Sequence, residues 1–225
     1  MMLRLLILSF VLQGLAVGQD ITLRGKVNVI HLSKKAPGSG NVVVWLTPEF
    51  ALQSEPPLTT PILIQKDKKF FPHTIAIRVG TEVEFPNQDP FFHDVFSIYR
   101  GKPFDLGLYE SGTSRKVRFS QAGVSYLFCN IHPEMSAAVV AVPTPYFTVT
   151  WADGSFKIGH LSRGRYRMSI WYEQSSSSEL DSVARDLDIG NTTVPIEIEL
   201  HSSDVEESHL NKYGQEYPVQ KSKVY

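Results

Sequence analysis

The sequence predicts an all-β protein built from two β-sandwiches. Short runs of alternating apolar and polar residues recur along the chain, the two-residue period of half-buried strands. Turn residues punctuate these runs at intervals of roughly 8 to 12 residues, the rhythm of a sandwich. The amphipathic 3.6-residue period is nowhere sustained for three turns, so long helices are not expected.

Met1 to Gly18 reads as a secretory signal. Arg4 gives a short positive start, Leu5 to Val17 an apolar run, and Ala16-Val17-Gly18 the small residues of a cleavage site. The run is too short to span a bilayer comfortably, and no second apolar segment of that kind follows. A mature chain starting near Gln19 is expected, periplasmic or secreted, with no integral membrane span after cleavage. An uncleaved anchor is the alternative.

Gly25 to Val29 and Asn41 to Leu46 read as the first strands. Pro56-Pro57 and Pro61 make Leu52 to Pro61 a loop, because proline blocks both ladder donation and helix propagation. Ile75, Ile77 and Val79 alternate with Ala76 and Arg78. Gly80-Thr81 then turns the chain into the alternation around Val83 and Phe85. Arg115 to Phe119, Tyr126 to Phe128, Ala137 to Val142, Phe147 to Trp151, Tyr166 to Trp171 and Val194 to Leu200 have the same look. A polar stretch from Ser175 to about Gly190 is partly helical around Ser182 to Leu187. Asn191-Thr192-Thr193 is a glycosylation sequon, relevant only in a eukaryotic host. Residues 201–225 are polar with few apolar anchors and read as a flexible tail.

Charge excludes some functions. Without residues 1–18 the chain carries 21 basic and 23 acidic residues, a net charge of −2. Nothing in that balance suggests nucleic acid or an anionic membrane surface. Arg163, Arg165 and Arg167 alternate and read as a solvated strand face first, a docking patch second.

Cys129 is the only cysteine of the chain. It cannot form an internal disulfide, so it is an idle thiol, an intermolecular bridge or a ligand. Its neighbours favour the ligand: His132 follows at +3 and Met135 at +6, and His93 lies upstream in Phe92-His93-Asp94-Val95. One thiolate, two imidazoles and one thioether are the ligand set of a mononuclear blue-copper electron-transfer site. Three of the four lie on one loop between the strands ending at Phe128 and beginning at Ala137. Taken singly, His93 is a polar residue at a strand end and Met135 is core packing; the joint fit reverses both readings. His31, His73, His160, His201 and His209 follow no ligand spacing and read as structural or surface residues. A binuclear copper centre needs two cysteines, and a multicopper oxidase needs paired His-x-His motifs, which do not occur. Met is a poor zinc ligand, and no Gly-x-Ser-x-Gly elbow or phosphate-cradling loop is present.

Gly80-Thr81-Glu82-Val83-Glu84-Phe85-Pro86-Asn87-Gln88-Asp89, His93-Asp94-Val95, Gly123, Cys129, His132 and Met135 together resemble a cupredoxin over about residues 62–143. The short Cys-x2-His-x2-Met spacing is similar to amicyanin-type members. Phe-Pro-Asn, His-Asp-Val-Phe-Ser and Cys-Asn-Ile-His resemble exported methylamine-utilisation or plastocyanin-like proteins. The resemblance implies a Greek-key sandwich holding one type 1 copper. Cys129, His93 and His132 would be equatorial ligands and Met135 the axial one. It also implies electron exchange near a solvent-facing His132, with Pro90, Phe91 and Phe92 as a docking patch for a redox protein. Two positions depart from the family pattern. Asp94 stands where an Asn commonly pins the Cys loop, so it either adds negative charge or is protonated and donates a hydrogen bond. Ser125 stands where an aromatic is common, with Tyr126 one step later.

Trp151-Ala152-Asp153-Gly154-Ser155-Phe156-Lys157-Ile158, Leu161, Gly164, Tyr166 and Ile170-Trp171 resemble the carboxypeptidase regulatory-like, or transthyretin-like, sandwich. Asp-Gly is also a hairpin signal in its own right. Residues 145–200 are short for such a unit. The expectation is a discontinuous sandwich of residues 20–60 and 144–200, with the cupredoxin unit, residues 62–143, inserted between them. Alternatively, residues 20–60 are extra edge strands of the cupredoxin. Function is expected to be one-electron carriage by an exported copper protein, not catalysis. The alternatives are a copper chaperone or buffer of the cell envelope, or a ligand-binding sandwich with a secondary copper site. The chaperone would favour Met enrichment, yet two of the four Met lie in the signal.

Overall fold

The computed structural model describes residues 21–31, 39–52, 59–98, 101–190, 194–203 and 209–217. The expected signal at 1–18, Pro56-Pro57, the sequon at Asn191, and residues 204–208 and 218–225 of the expected tail lie outside the described residues. The fold is nearly all β. The chain runs β1 (Ile21–Ile30), β2 (Val43–Pro48), β3 (Ile64–Lys66), β4 (Lys69–Phe71), β5 (Thr74–Arg78) and β6 (Glu82–Pro86). It continues through β7 (His93–Ser97), β8 (Phe104–Tyr109), β9 (Ser114–Arg118), β10 (Gly123–Cys129), β11 (Ser136–Val142) and β12 (Phe147–Val149). After β13 (Ser155–Leu161) and β14 (Gly164–Trp171) come the helix α1 (Ser177–Val183), β15 (Arg185–Ile189) and β16 (Ile196–His201). Among the described residues, no helix is long and apolar enough to cross a membrane.

Alternation along the strands decides how the sheets stack. Val42, Val44 and Leu46 enter one core with Leu23, Val27, Phe156, Ile158, Tyr166, Met168, Ile198 and Leu200. That core fills the space between the sheet β13-β1-β16 and the sheet β12-β2-β14-β15. Ala137, Val139 and Ala141 enter a second core with Leu63, Phe70, Ile75, Ile77, Val83, Phe85, Val117, Phe119 and Leu127. It lies between the five-stranded sheet β5-β11-β10-β7-β8 and the pairs β6-β9 and β3-β4. The opposite faces of β2 and β11 meet each other: Val43 and Trp171 pack with Ala138, Val140 and Val142. Covered on both faces, β11 is apolar at nearly every position, as a fully buried strand must be. A His73–Glu173 contact of 2.5 Å also crosses this boundary.

Among the described residues, all hydrogen-bonded strand neighbours of β1 and β2 lie beyond residue 146. β1 pairs antiparallel with β13 and parallel with β16, and β2 pairs with β12 and β14. Asp153-Gly154 does not close a hairpin between paired strands; it turns the chain from β12 in one sheet to β13 in the other. Gly154 has φ 81°, and a Cβ there would lie 2.0 Å from the Val27 carbonyl oxygen, so only glycine fits. Gly25 leaves room for the Phe156 ring, which a Cβ would meet at 2.4 Å.

The helix lies earlier than expected. Ser176 accepts from the Glu179 N–H at 3.2 Å and caps α1 at Ser177. Arg185 to Leu187, the end of the stretch expected as helix, instead lie in β15, which pairs antiparallel with β14. There Arg167 meets Asp186 at 3.1 Å, while Arg165 lies 3.6 Å from Glu49 on the same exposed face.

Candidate metal centre

Strand register brings the distant donors together. β10 pairs antiparallel with β7, matching Cys129 with Val95 and Phe128 with Phe96. His93 therefore opens β7 beside the residue at which β10 ends. After Cys129 the chain folds tightly: Cys129 N–H donates to the Met135 carbonyl at 3.1 Å, and Met135 N–H to the His132 carbonyl at 3.1 Å. These bonds return His132 and Met135 toward the cysteine.

The Cys129 sulfur lies 3.6 Å from His93 Nδ1 and 3.4 Å from His132 Nδ1. The ligand atoms of all three lie within 4.8 Å of one another. Metal bonds of about 2.0 Å to nitrogen and 2.3 Å to sulfur, at a tetrahedral angle, separate the two donors by about 3.5 Å. The trio is thus spaced for one metal ion. His93, Cys129 and Met135 are buried, and His132 is half-buried. Met135 belongs to the same core cluster as Cys129.

Each imidazole is set up to donate a lone pair. His93 Nε2 lies 2.9 Å from Asp89 Oδ2. A carboxylate only accepts, so Nε2 carries the proton and Nδ1 turns its lone pair toward the sulfur. Asp89 is itself fixed by the backbone N–H groups of Asp67 at 2.6 Å and Lys68 at 3.0 Å. Burial opposes ionisation of Asp89, but the bonds from Lys68, His93 and Asp67 prevail and hold its carboxyl below the usual range. Burial lowers the His93 pKa, against the opposing pull of Asp89. Burial also lowers that of His132, helped by His93 and Lys68. Both rings are therefore biased to the neutral, ligating form. Burial pushes the Cys129 thiol up, with backbone donors opposing; a bound cation would reverse this by stabilising the thiolate.

The Phe-Pro-Asn-Gln-Asp motif now has a physical role. Asn87 Nδ2 donates to the Phe91 carbonyl at 2.8 Å, and Asn87 Oδ1 accepts from Asp89 N–H at 3.0 Å. The loop so held presents Asp89 to His93 and packs the Phe91 ring against both imidazoles, at 5.4 Å from His93 and 5.3 Å from His132. Below it, Gln65 donates to the Tyr109 hydroxyl and to the Phe85 carbonyl. Phe92 is 54% exposed and Ile131 39%, both adjacent in sequence to a candidate ligand.

Asp94 is buried and does hold the Cys loop. Its carbonyl accepts from Asn130 N–H at 2.8 Å. Its carboxylate accepts from Asn130 Nδ2 at 3.1 Å and pairs with Lys212 Nζ at 2.9 Å. Ser125, the other departure, is buried and accepts from Lys102 N–H at 2.8 Å. Residues 201–225 were expected as a flexible tail, yet 209–217 lie against the site. The His209 ring stacks on Phe128 at 4.1 Å, and the Tyr217 hydroxyl donates to the Cys129 carbonyl at 2.8 Å. His209, which the sequence places among structural or surface residues, thus packs beside the site, and no spacing marks Lys212 or Tyr217. Asp89 had a signal, as a carboxylate four residues before the histidine. His31, His73, His160 and His201 are not part of the cluster.

No family model matches the chain, and no curated protein does. Solved structures similar to part of the chain include an amicyanin, a purple cupredoxin and a copper-containing nitrite reductase. A reduced single-site mutant of amicyanin is 19% identical, with 37% of this chain and 82% of that one covered and a TM-score of 0.35. A purple cupredoxin from Nitrosopumilus maritimus is 24% identical over 36% of this chain and 99% of that one, TM-score 0.34. A copper-containing nitrite reductase from Thermus scotoductus is 24% identical over 43% of this chain, TM-score 0.36, and only 25% of that enzyme is covered. The metal chemistry rests on the donor atoms themselves.

Proposed function

We propose that this chain is an exported one-electron carrier whose single type 1 copper is held by His93, Cys129, His132 and Met135. The observation that carries the reading is the approach of both Nδ1 atoms to the lone cysteine sulfur, at 3.6 and 3.4 Å. Copper, when bound there, supplies a one-electron change between its +1 and +2 states. The thiolate and imidazoles would suit both states, and a weakly bound thioether from Met135 would tune the balance.

The protein's own part is to keep the donors still. Asp89 holds the His93 ring, and backbone bonds hold the Cys129–Met135 turn. Burial of His93, Cys129 and Met135 excludes water. Four protein donors leave no open position for a substrate, so carriage is favoured over catalysis. Electrons would pass at half-buried His132, where exposed Phe92 and Ile131 give a redox protein an apolar surface to rest on. We further propose that residues 20–60 and 144–200 form a discontinuous, carboxypeptidase regulatory-like sandwich. The strand partners of β1 and β2 support that reading.

The test is the visible spectrum of the purified chain reconstituted with copper(II). One copper per chain and an intense blue band, arising from charge transfer from Cys129, are expected. Cys129→Ser should abolish the band while the fold persists; a blue Cys129→Ser protein would sink the assignment.

A further inference from the structure

We infer that residues 209–217 form a clasp that completes the metal centre, with Lys212 and Tyr217 as positioning residues for the Cys129 loop; this rests on the copper reading above. Three consecutive residues at the end of β10 are each gripped by this segment. The His209 ring covers Phe128 at 4.1 Å. The Tyr217 hydroxyl donates to the Cys129 carbonyl at 2.8 Å. The Lys212 backbone N–H donates to Asn130 Oδ1 at 3.1 Å. The segment is itself ordered: Asn211 Oδ1 accepts from Tyr213 and Gln215 N–H at 2.9 and 3.0 Å. The Tyr217 ring meets His209 edge-on at 5.3 Å.

The charge at Asp94 gives the clasp its reason. Asp94 is buried next to His93, and an unpaired carboxylate there would cost several kcal/mol. Asn130 Nδ2 supplies one hydrogen bond at 3.1 Å but no charge. Lys212 Nζ supplies the charge, 2.9 Å from Asp94 Oδ2 and 3.0 Å from Asp105 Oδ2. Asn130 is thereby held at both ends of its side-chain amide, by Asp94 and by the Lys212 backbone. Asn130, the residue beside Cys129, cannot shift without breaking these bonds. A change of copper oxidation state needs a loop that does not shift. Paired with the residue next to His93, Lys212 would also place a cation close to a copper ion held there, which would favour the reduced state and raise the potential.

The experiment uses the full mature chain as parent, Lys212→Met, Lys212→Arg and Tyr217→Phe. Amide hydrogen exchange on the metal-free proteins is read over residues 129–135 and, as a control, over β5 and β11. Lys212→Met and Tyr217→Phe should each speed exchange in the loop by roughly tenfold, the factor that loss of about 1.4 kcal/mol of hydrogen bonding produces. The control strands should not change, and Lys212→Arg should restore parent rates. In the copper-loaded proteins, Lys212→Met should lower the potential, while Lys212→Arg and Tyr217→Phe leave it near that of the parent. Unchanged loop exchange in both Lys212→Met and Tyr217→Phe would overturn the clasp. Equal acceleration in the loop and the control strands would also overturn it, by reducing both residues to general stability. A parent that gives no blue copper species defeats the proposed function, while the metal-free exchange still judges the clasp.

Discussion

Asp89→Asn is the substitution that best separates a positioned histidine from a merely buried one. Asp89 receives three N–H donors: His93 Nε2 at 2.9 Å, Asp67 N at 2.6 Å and Lys68 N at 3.0 Å. Oδ2 serves His93 and Lys68, and Oδ1 serves Asp67. An asparagine has one acceptor oxygen, so in either orientation its amide nitrogen faces at least one of these donors. The remaining bonds lose their charge. Hydrogen bonds to charged groups contribute about 1.5–3 kcal/mol and an orphaned buried donor costs about 1–3 kcal/mol. The metal-free fold should therefore lose roughly 2–4 kcal/mol in urea unfolding. Freed of its partner, the His93 ring can rotate or change tautomer, and removal of such an outer partner weakens metal binding by roughly 10–100-fold. Loss of the negative charge also favours copper(I), so the potential should rise. Competition titration with a chelator and a redox titration read the two effects separately. An Asp89→Asn protein with parental copper affinity and potential would refute the claim that Asp89 orients His93.

Met135→Leu conserves volume in the core and should cost less than about 1.5 kcal/mol in stability. Its blue band should remain while the potential rises; an unchanged potential would remove Met135 from the proposed donor set. The pKa values of His93 and His132 are lowered from the ordinary 6.5. The unfolded chain therefore binds more protons than the fold just below that value, and stability of the metal-free protein is lost as pH falls through that window. The loss can reach about 1.4 kcal/mol per pH unit for each ring. Urea midpoints that stay level from neutral pH to about pH 5 would contradict this. Gly154→Ala forces a Cβ against the Val27 carbonyl at positive φ and should destabilise by more than about 1 kcal/mol, measured by thermal melting.

What the sequence made legible was local. Alternation in β5, β6, β9, β11, β14 and β16 is a property of neighbouring residues, and the all-β class follows from it. The loop donors Cys129, His132 and Met135 lie within seven residues and announce themselves by spacing. His93 was readable because the residue type needed to complete that donor set was known. Strands such as β8 (Phe104–Tyr109) and β15 (Arg185–Ile189) were not readable, because their burial patterns are set by partners rather than by their own sequence. In β15 the acidic residues Asp186 and Asp188 face Arg167 and Arg165 across the ladder. A pattern that reads as helix or loop in isolation thus becomes a strand once the basic face of β14 is beside it.

The supporting shell of the centre was hidden for the same reason. Asp94 looked like a departure that left its charge unexplained, since the described partners of its carboxylate, Asn130 and Lys212, are far from it in sequence. Its cation arrives from position 212, on a stretch whose polarity and few apolar anchors suggest disorder. A segment can be polar and still order when its polar groups are the ones another site lacks. Lys212 answers a buried carboxylate, Tyr217 a carbonyl left at the end of a strand, and His209 an aromatic face at Phe128. Composition measures how much apolar surface a segment can bury. It does not measure how many specific vacancies elsewhere the segment can fill, and here three such vacancies, at Asp94, Phe128 and Cys129, lie on the two strand ends that carry His93 and the cysteine sulfur.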